Sequence, residues 1–549
     1  MPSVGRLAGD APAADASTSE TGARPSWIPR VARRLGLDTF ELACLVALAG
    51  VSLSVLLPLL TRGRPLSGAD GLFAADQLQY FAWIREASEH WLIGNRFDLR
   101  PDERVFLHPG FLLSGLLHRV TGISVPLAYL LWKPVAVAVT FTGCLLYVRR
   151  LLPAGGRRQA ALMLALFAVM PATAVVAWTG WGGRAREFTF DFISGEMWSS
   201  QYLLGYLMTA IAVFLVPLVL LAAESWRRSR RTRTLVLASL GALVIAWLQP
   251  WQGATLALIV VAVEALRFIR SGERPAPALL AIPAAVALPA LYYLVLSMED
   301  PSWQLASEAN GAGAQTEWSW PWWAIVLTVL PLAAPAALAY RLPARSWQDV
   351  AVRVWPIAAL LVFLQPSGTF PYHAFQGLAL PLSILAVQGV TSVWPRPRGV
   401  LVAAALALLI LPGFAHKLEV AANTIHAGAE PYFIFSDEHR ALRALEEDPR
   451  PGGVLGPLYA GFMLPYTTGR EVYVGALSWS PDFNKRRERA DALFEGRLTG
   501  ERARSFVRST GARFLFADCR ELADLRAELR PLIERVDRYG CATVYVLRR

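Results

Sequence analysis

The sequence predicts a mainly α, polytopic membrane helical bundle of about eleven transmembrane helices, followed by a small extracytoplasmic α/β domain. Three observations predict it. Of the 549 residues, 54% are hydrophobic and only 17% are charged, whereas a soluble chain carries about a quarter charged residues. Apolar stretches approaching the roughly 20 residues a bilayer requires recur between residues 39 and 414. The arginines gather between those stretches, at every second boundary.

The stretches are 39–60, 125–148, 159–178, 202–223, 234–249, 253–269, 277–297, 321–340, 353–366, 374–394 and 399–414. Arg30, Arg33 and Arg34 precede the first. Arg149 and Arg150 follow the second, Arg227 and Arg228 the fourth, Arg270 and Arg274 the sixth, Arg341 and Arg345 the eighth, and Arg396 and Arg398 the tenth. The connections 298–320 and 367–372 carry no basic residue. Cytoplasmic loops collect Lys and Arg, so the N-terminus is expected in the cytoplasm. An odd number of spans then puts 415–549 outside a multi-pass cell membrane protein. The net charge of +11 therefore reads as topology, and no nucleic-acid partner is expected.

Three regions follow. Residues 1–37 are a cytoplasmic tail, disordered because its Ala-, Ser-, Gly- and Pro-rich start buries no core. The first apolar run begins too late and is too long for a cleaved signal peptide. Residues 38–414 form the transmembrane module. Within it the long first outer loop, 61–124, carries Phe73, Tyr80, Ile84, Ala87 and Trp91 at helical spacing, which predicts an amphipathic helix in the membrane interface. A second interfacial piece runs from Phe106 to Val120. Residues 415–549 alternate short strands (453–458, 471–474, 512–517, 542–547) with helices (436–447, 484–494, 501–509, 521–536), an α/β pattern. Ser436 and Asn484 are suitable N-caps. Cys44 and Cys144 lie in apolar segments as small core residues. Cys519 and Cys541 flank strands, and outside the cytoplasm they are permitted a disulfide; two buried thiols are the alternative.

A long first outer loop with two interfacial helices, about eleven spans and a C-terminal outer domain together resemble the GT-C superfamily of membrane glycosyltransferases. In residues the likeness is strongest over Ala75-Asp76-Gln77-Leu78-Gln79-Tyr80 through Phe106-Leu107-His108-Pro109. The run Thr468-Gly469-Arg470-Glu471-Val472-Tyr473 looks like the outer domains of bacterial members. The resemblance implies a donor sugar on a polyprenyl phosphate or diphosphate. It implies transfer to a lipid, glycan or protein acceptor on the outer face, with membrane lipids as surroundings.

Displacement at an anomeric carbon by a hydroxyl needs a carboxylate to take the proton. A phosphate leaving group needs positive charge rather than a general acid. Asp76, at the start of the first loop helix, is the leading base, against a reading as a helix-start acid. Asp70 is its competitor, against a turn or cap. Glu187 and Asp191 in the second outer loop are candidates for a second acid or for holding a divalent metal, against local ion pairs in a solvated loop. Lys133, inside the second span, is a candidate for the donor phosphate or a snorkelling side chain. Arg104 and His108 are candidates for phosphate or sugar contacts. Gln249 and Gln252 at a tight turn, and His373 at the mouth of the tenth span, suit sugar binding, although aromatic neighbours there are expected as an interface belt. Two other classes compete: a lipid or glycan transporter or flippase, and a non-catalytic scaffold. The large first loop and the lack of an inverted repeat weigh against the transporter. The scaffold predicts that no loop acid is essential.

Overall fold

The computed structural model describes residues 35–100, 103–315, 321–365, 370–426, 431–520 and 523–548. The tail before residue 35, with Arg30, Arg33 and Arg34, lies outside the described residues, as do Trp318 and Trp320. Internal packing divides the chain into one unit ending at Cys44 and a second, Leu45–Arg549. In the first unit Asp38 and Glu41 cap a helix start reciprocally, each accepting the other's backbone N–H (2.8 and 2.9 Å). The site described below belongs to the second.

The molecule is mainly helical. Each of the eleven apolar stretches is largely helical over its described residues, several of them in two pieces. Among the described residues six helices are long and apolar enough to cross a membrane by themselves, and a seventh candidate is the pair Gly156–Phe167 and Pro171–Thr179, bent by 49°. Pro171 explains the break, since it opens the second helix without a backbone donor. Thr39–Leu53, Thr232–Leu248 and Ala379–Val393 are apolar but shorter. The outward faces carry large apolar side chains, among them Ile269, Leu288, Val400 and Leu408. These helices and this surface mark a membrane protein.

The first loop departs from the sequence reading. Helix Ala74–Glu89 turns its apolar face to protein. Leu78, Phe81, Ile84 and Ala87 are buried, and the helix packs under helices Pro109–Thr121 and Leu458–Thr468. Trp91, assigned to its apolar face, is instead 78% exposed. The amphipathic pattern was real, but its apolar face meets protein rather than lipid. Helix Pro109–Thr121 does keep an exposed apolar side, with Leu113, Leu116 and Val120 at helical spacing.

The C-terminal region builds a four-stranded sheet: β1 Val454–Leu455, β2 Phe514–Ala517, β3 Ile533–Tyr539 and β4 Ala542–Leu547, in the order β1-β2-β4-β3. β1 and β2 are parallel and the other pairs antiparallel. Leu455, Phe494, Leu515, Leu529 and Tyr545 share its core. The helix expected over 521–536 is a short helix, Leu525–Leu529, followed by strand β3. Pro531 stops the helix, and Gly540, at φ +69°, turns the chain into a hairpin whose pairing overrides local propensity. Residues 471–474 contribute only the bridge Val454–Val472. Helix Leu458–Thr468, which the sequence reading missed, opens after Pro457. Helix 484–494 starts at Phe483, with Asp482 rather than Asn484 at the cap position.

Cys519 and Cys541 are joined by a disulfide. It ties the end of β2 to the β3–β4 turn, beside Asp437, whose carboxylate accepts the Cys541 N–H (3.0 Å). Closing a loop of 22 residues stabilises by about 3 kcal/mol in the chain-entropy account. Cys519→Ser should therefore lower the unfolding midpoint, and alkylation of the intact protein should label two cysteines only after reduction. Labelling of Cys519 and Cys541 without reductant would refute the bond.

Candidate functional site

Four segments meet at the candidate site: the first-loop helix Ala74–Glu89, helix Gly183–Met197, the start of helix Leu207–Ser229, and the turn Pro371–Phe375. The approach depends on two glycines. Gly205, at φ +100°, lies back to back with Gly71, and a Cβ on Gly205 would stand 2.8 Å from Gly71 Cα. That contact brings the next residue, Tyr206, to Asp76. The Tyr206 hydroxyl donates to Asp76 Oδ2 at 2.8 Å.

Asp76 is open to solvent, yet it stands deep within the mass of the protein. An accessible carboxylate with protein on every side is what a cleft floor provides. Desolvation raises its pKa above the usual carboxylate range; the Tyr206 hydrogen bond and His373 pull it down, and Glu196 pushes it up again. Rings line the approach: Phe73 meets Phe192 (5.6 Å between centroids) and Tyr206 (6.3 Å), Phe192 meets Phe370 (5.8 Å), and Phe370 meets His373 (4.6 Å).

Glu196 and His373, both near enough to act on the Asp76 charge, pair with each other: Glu196 Oε2 lies 3.1 Å from His373 Nδ1. The Gln376 amide also reaches Nδ1 (2.9 Å). Two of the sequence candidates support this group from behind. Gln252 Nε2 donates to the His373 carbonyl (2.9 Å), and Gln249 Nε2 donates to Gln376 Oε1 (2.9 Å). Both glutamines are buried, so they hold the turn rather than face the cleft.

The other candidates lie elsewhere. Asp70 is fully buried, and Lys133 Nζ stands 2.6 Å from its Oδ2. Lys133 also donates to the carbonyls of Ser52 (2.9 Å) and Leu203 (2.8 Å), and Gln77 Nε2 donates to Asp70 (3.0 Å). The base competitor and the phosphate cation are thus each other's partner in a buried ion pair.

Arg104 pairs with buried Glu86 (2.5 Å), which Arg96 also engages. His108 caps helix Pro109–Thr121, its Nδ1 accepting the Phe111 N–H (3.2 Å), and stacks on the Phe111 ring at 3.8 Å. Burial lowers its pKa to about 3. Its unfolded value is about 6.5. Because the folded pKa is depressed, the stability this neutral ring contributes is intact above pH 6.5 and is lost as pH falls toward 3. The melting temperature should drop more steeply between pH 6.5 and 4 for the wild type than for His108→Asn, which keeps a cap that does not titrate. Equal slopes would contradict the cap role.

Asp191 is anchored as well. Burial alone would raise its pKa, but Lys417 Nζ at 2.6 Å, with His416 at 3.5 Å, holds it well below the usual carboxylate range. Glu187 lies one turn earlier, half-buried. Sequence reasoning missed Tyr206, Gln376 and Lys417 as site candidates, and among the acids of the second outer loop it preferred Glu187 and Asp191 to Glu196. Glu196 had a signal: it is the last acid before an apolar span, set in Ser194-Gly195-Glu196-Met197-Trp198. Among the described residues the Asp437, Cys519 and Cys541 side chains come within ligand spacing of one another, but their sulfurs are spent in the disulfide.

No protein-family model and no curated protein matches the chain. Solved structures do. The fold is similar to that of an archaeal oligosaccharyltransferase. The apo enzyme of Archaeoglobus fulgidus superposes with a TM-score of 0.51 at 12% identity, over 87% of this chain and 69% of that one. The same organism's enzyme AglB, in complex with an inhibitory peptide and a dolichol-phosphate, superposes at 0.50 and 13%, over 90% and 70%. At such identities the likeness is one of fold.

Proposed function

We propose that the chain is a membrane glycosyltransferase that moves a sugar from a polyprenyl-phosphate or diphosphate donor to a lipid, glycan or protein acceptor. The observation that carries this reading is Asp76: a solvent-open carboxylate, desolvated on a cleft floor, bonded to Tyr206 and faced by Glu196 and His373. The fold adds support, since a protein of similar fold holds a dolichol-phosphate together with a peptide.

In this reading the chain has three regions, 1–37, 38–414 and 415–549, with eleven spans, a cytoplasmic N-terminus and an outer C-terminal domain. The disulfide in that domain agrees with an oxidising compartment. Asp76 takes the acceptor's proton, and Tyr206 fixes the carboxylate's orientation. Glu196 and His373 form the opposite wall, braced by Gln376, Gln249 and Gln252. Glu196 raises the proton affinity of Asp76, so a divalent ion there would be held by these two acids with water or donor phosphate oxygens. It would supply the positive charge that a phosphate leaving group requires. Asp70, Lys133, Arg104 and His108 hold the scaffold.

The test incubates protein-containing membranes with labelled polyprenyl-phosphate mannose, glucose or arabinose and native lipid extract, and follows free polyprenyl phosphate. Release is expected, and its acid limb should lie above the ordinary aspartate pKa of about 3.9, because the base must be ionised and its pKa is raised. Folded protein that releases nothing from lipid-phosphate or lipid-diphosphate donors would overturn the reading.

A further inference from the structure

Helices Thr232–Leu248 and Ala281–Glu299 pack side by side, but not along their whole length. At one end they part around an apolar groove of about 250 Å³, lined by Leu235, Ser239, Leu243, Ala281, Ala285 and Leu288 among others. At the other end they close: the Tyr293 hydroxyl donates to the Trp247 carbonyl (2.7 Å), and the Trp247 and Tyr292 rings meet at 6.0 Å. The small side chains Ala281 and Ala285, one turn apart, leave the space open. The groove is open on one side, and in a bilayer hydrocarbon fills it.

Length and charge select the occupant. Eight residues separate Leu235 from Leu243, about 12 Å of helix rise. One leaflet offers about 15 Å, half of the roughly 30 Å hydrocarbon core. A groove that ends half-way fits one chain entering from one leaflet. A partner helix, or a chain from the opposite leaflet, would need it open beyond the Tyr293–Trp247 contact. At the open end Arg231 and Arg233 flank the first residue of one helix, and Arg274 precedes the other. All three are exposed, and none has an ion-pair partner among the described residues. Their neighbours differ: Arg227 and Arg267 are both engaged with Glu273.

We propose that this groove binds one acyl chain of an anionic phospholipid from the arginine-rich, cytoplasmic leaflet, with its phosphate held by Arg231, Arg233 and Arg274. Such a site goes beyond glycosyl transfer and stands or falls without it.

The full-length protein, delipidated in mild detergent, would be titrated with phosphatidylglycerol or phosphatidylcholine, and bound lipid counted by native mass spectrometry. One phosphatidylglycerol should be retained roughly tenfold more tightly than phosphatidylcholine, given the pull of each arginine on an anionic headgroup. Changing Arg231, Arg233 and Arg274 together to Gln should abolish the preference while a chain still binds. Ala285→Phe should abolish retention of both lipids, and Ala281→Leu provides a milder filling of the same floor should the first variant fail to fold. Equal retention of both lipids by the wild type would overturn the proposal. So would a preference that survives the triple Gln change, stronger retention of polyprenol, or a lipid-free dimer sealed at this face.

Discussion

Asp76→Asn should cut release of polyprenyl phosphate from the labelled donor by about 10²- to 10⁴-fold, the usual worth of a positioned general base. The change is nearly isosteric. The Asn carbonyl oxygen still accepts the Tyr206 hydroxyl, which donates at 2.8 Å in the parent, so the cleft keeps its shape. What is lost is the electron pair that removes the acceptor's proton. Because desolvation raises the carboxylate's pKa, removing its charge should not lower the unfolding temperature. Tyr206→Phe separates position from chemistry: it should reduce turnover less and raise the carboxylate's pKa further, moving the acid limb of the rate profile to higher pH. If Asp76→Asn turns over donor as fast as the wild type, the base lies elsewhere, and Glu196→Gln becomes the next variant to assay.

Lys133→Met should destabilise the fold by about 3–5 kcal/mol, the cost of leaving a buried charge without its partner. Asp70 is fully buried and stands 2.6 Å from the ammonium. After the change it keeps only the Gln77 amide. The double variant Lys133→Met with Asp70→Asn should recover much of the loss, since no charge then remains in the dry site. Thermal unfolding of the four proteins in one detergent forms the double-mutant cycle. A strictly additive cycle would show that the two charges do not act as a pair. The pair also bears on the cleft: Lys133 holds Leu203, two residues before the Gly205 that brings Tyr206 to Asp76.

The particular residues show where sequence reading succeeds and where it stops. Asp76 was a candidate from local signals alone: a first-turn acid on a helix in the longest loop. Gln249, Gln252 and His373 were legible as polar groups at span ends, but not the way they act. Only the folded chain shows that the two glutamines brace the His373 turn across more than 120 positions of sequence. Lys133 and Asp70 were each singled out, and each was given a separate task. Their union, 63 positions apart in the chain, is a long-range contact that no local pattern encodes. The same holds for Asp191 and Lys417.

The sequence by itself determined the solvent and the class. Apolar runs of bilayer length and arginines at alternate boundaries are one-dimensional signals, because hydrocarbon thickness and the asymmetric cost of placing Lys and Arg act on each segment separately. It also determined a C-terminal region of mixed helix and strand. Tertiary structure alone decided that helix Ala74–Glu89 packs against protein rather than lipid, since an apolar face does not specify what covers it. It decided that residues 533–539 form a strand, since hairpin pairing outweighs helix propensity after Pro531. And it decided which partner Asp76 meets, because bringing Tyr206 to it depends on the close approach of Gly71 and Gly205, a steric condition that exists only between segments already folded.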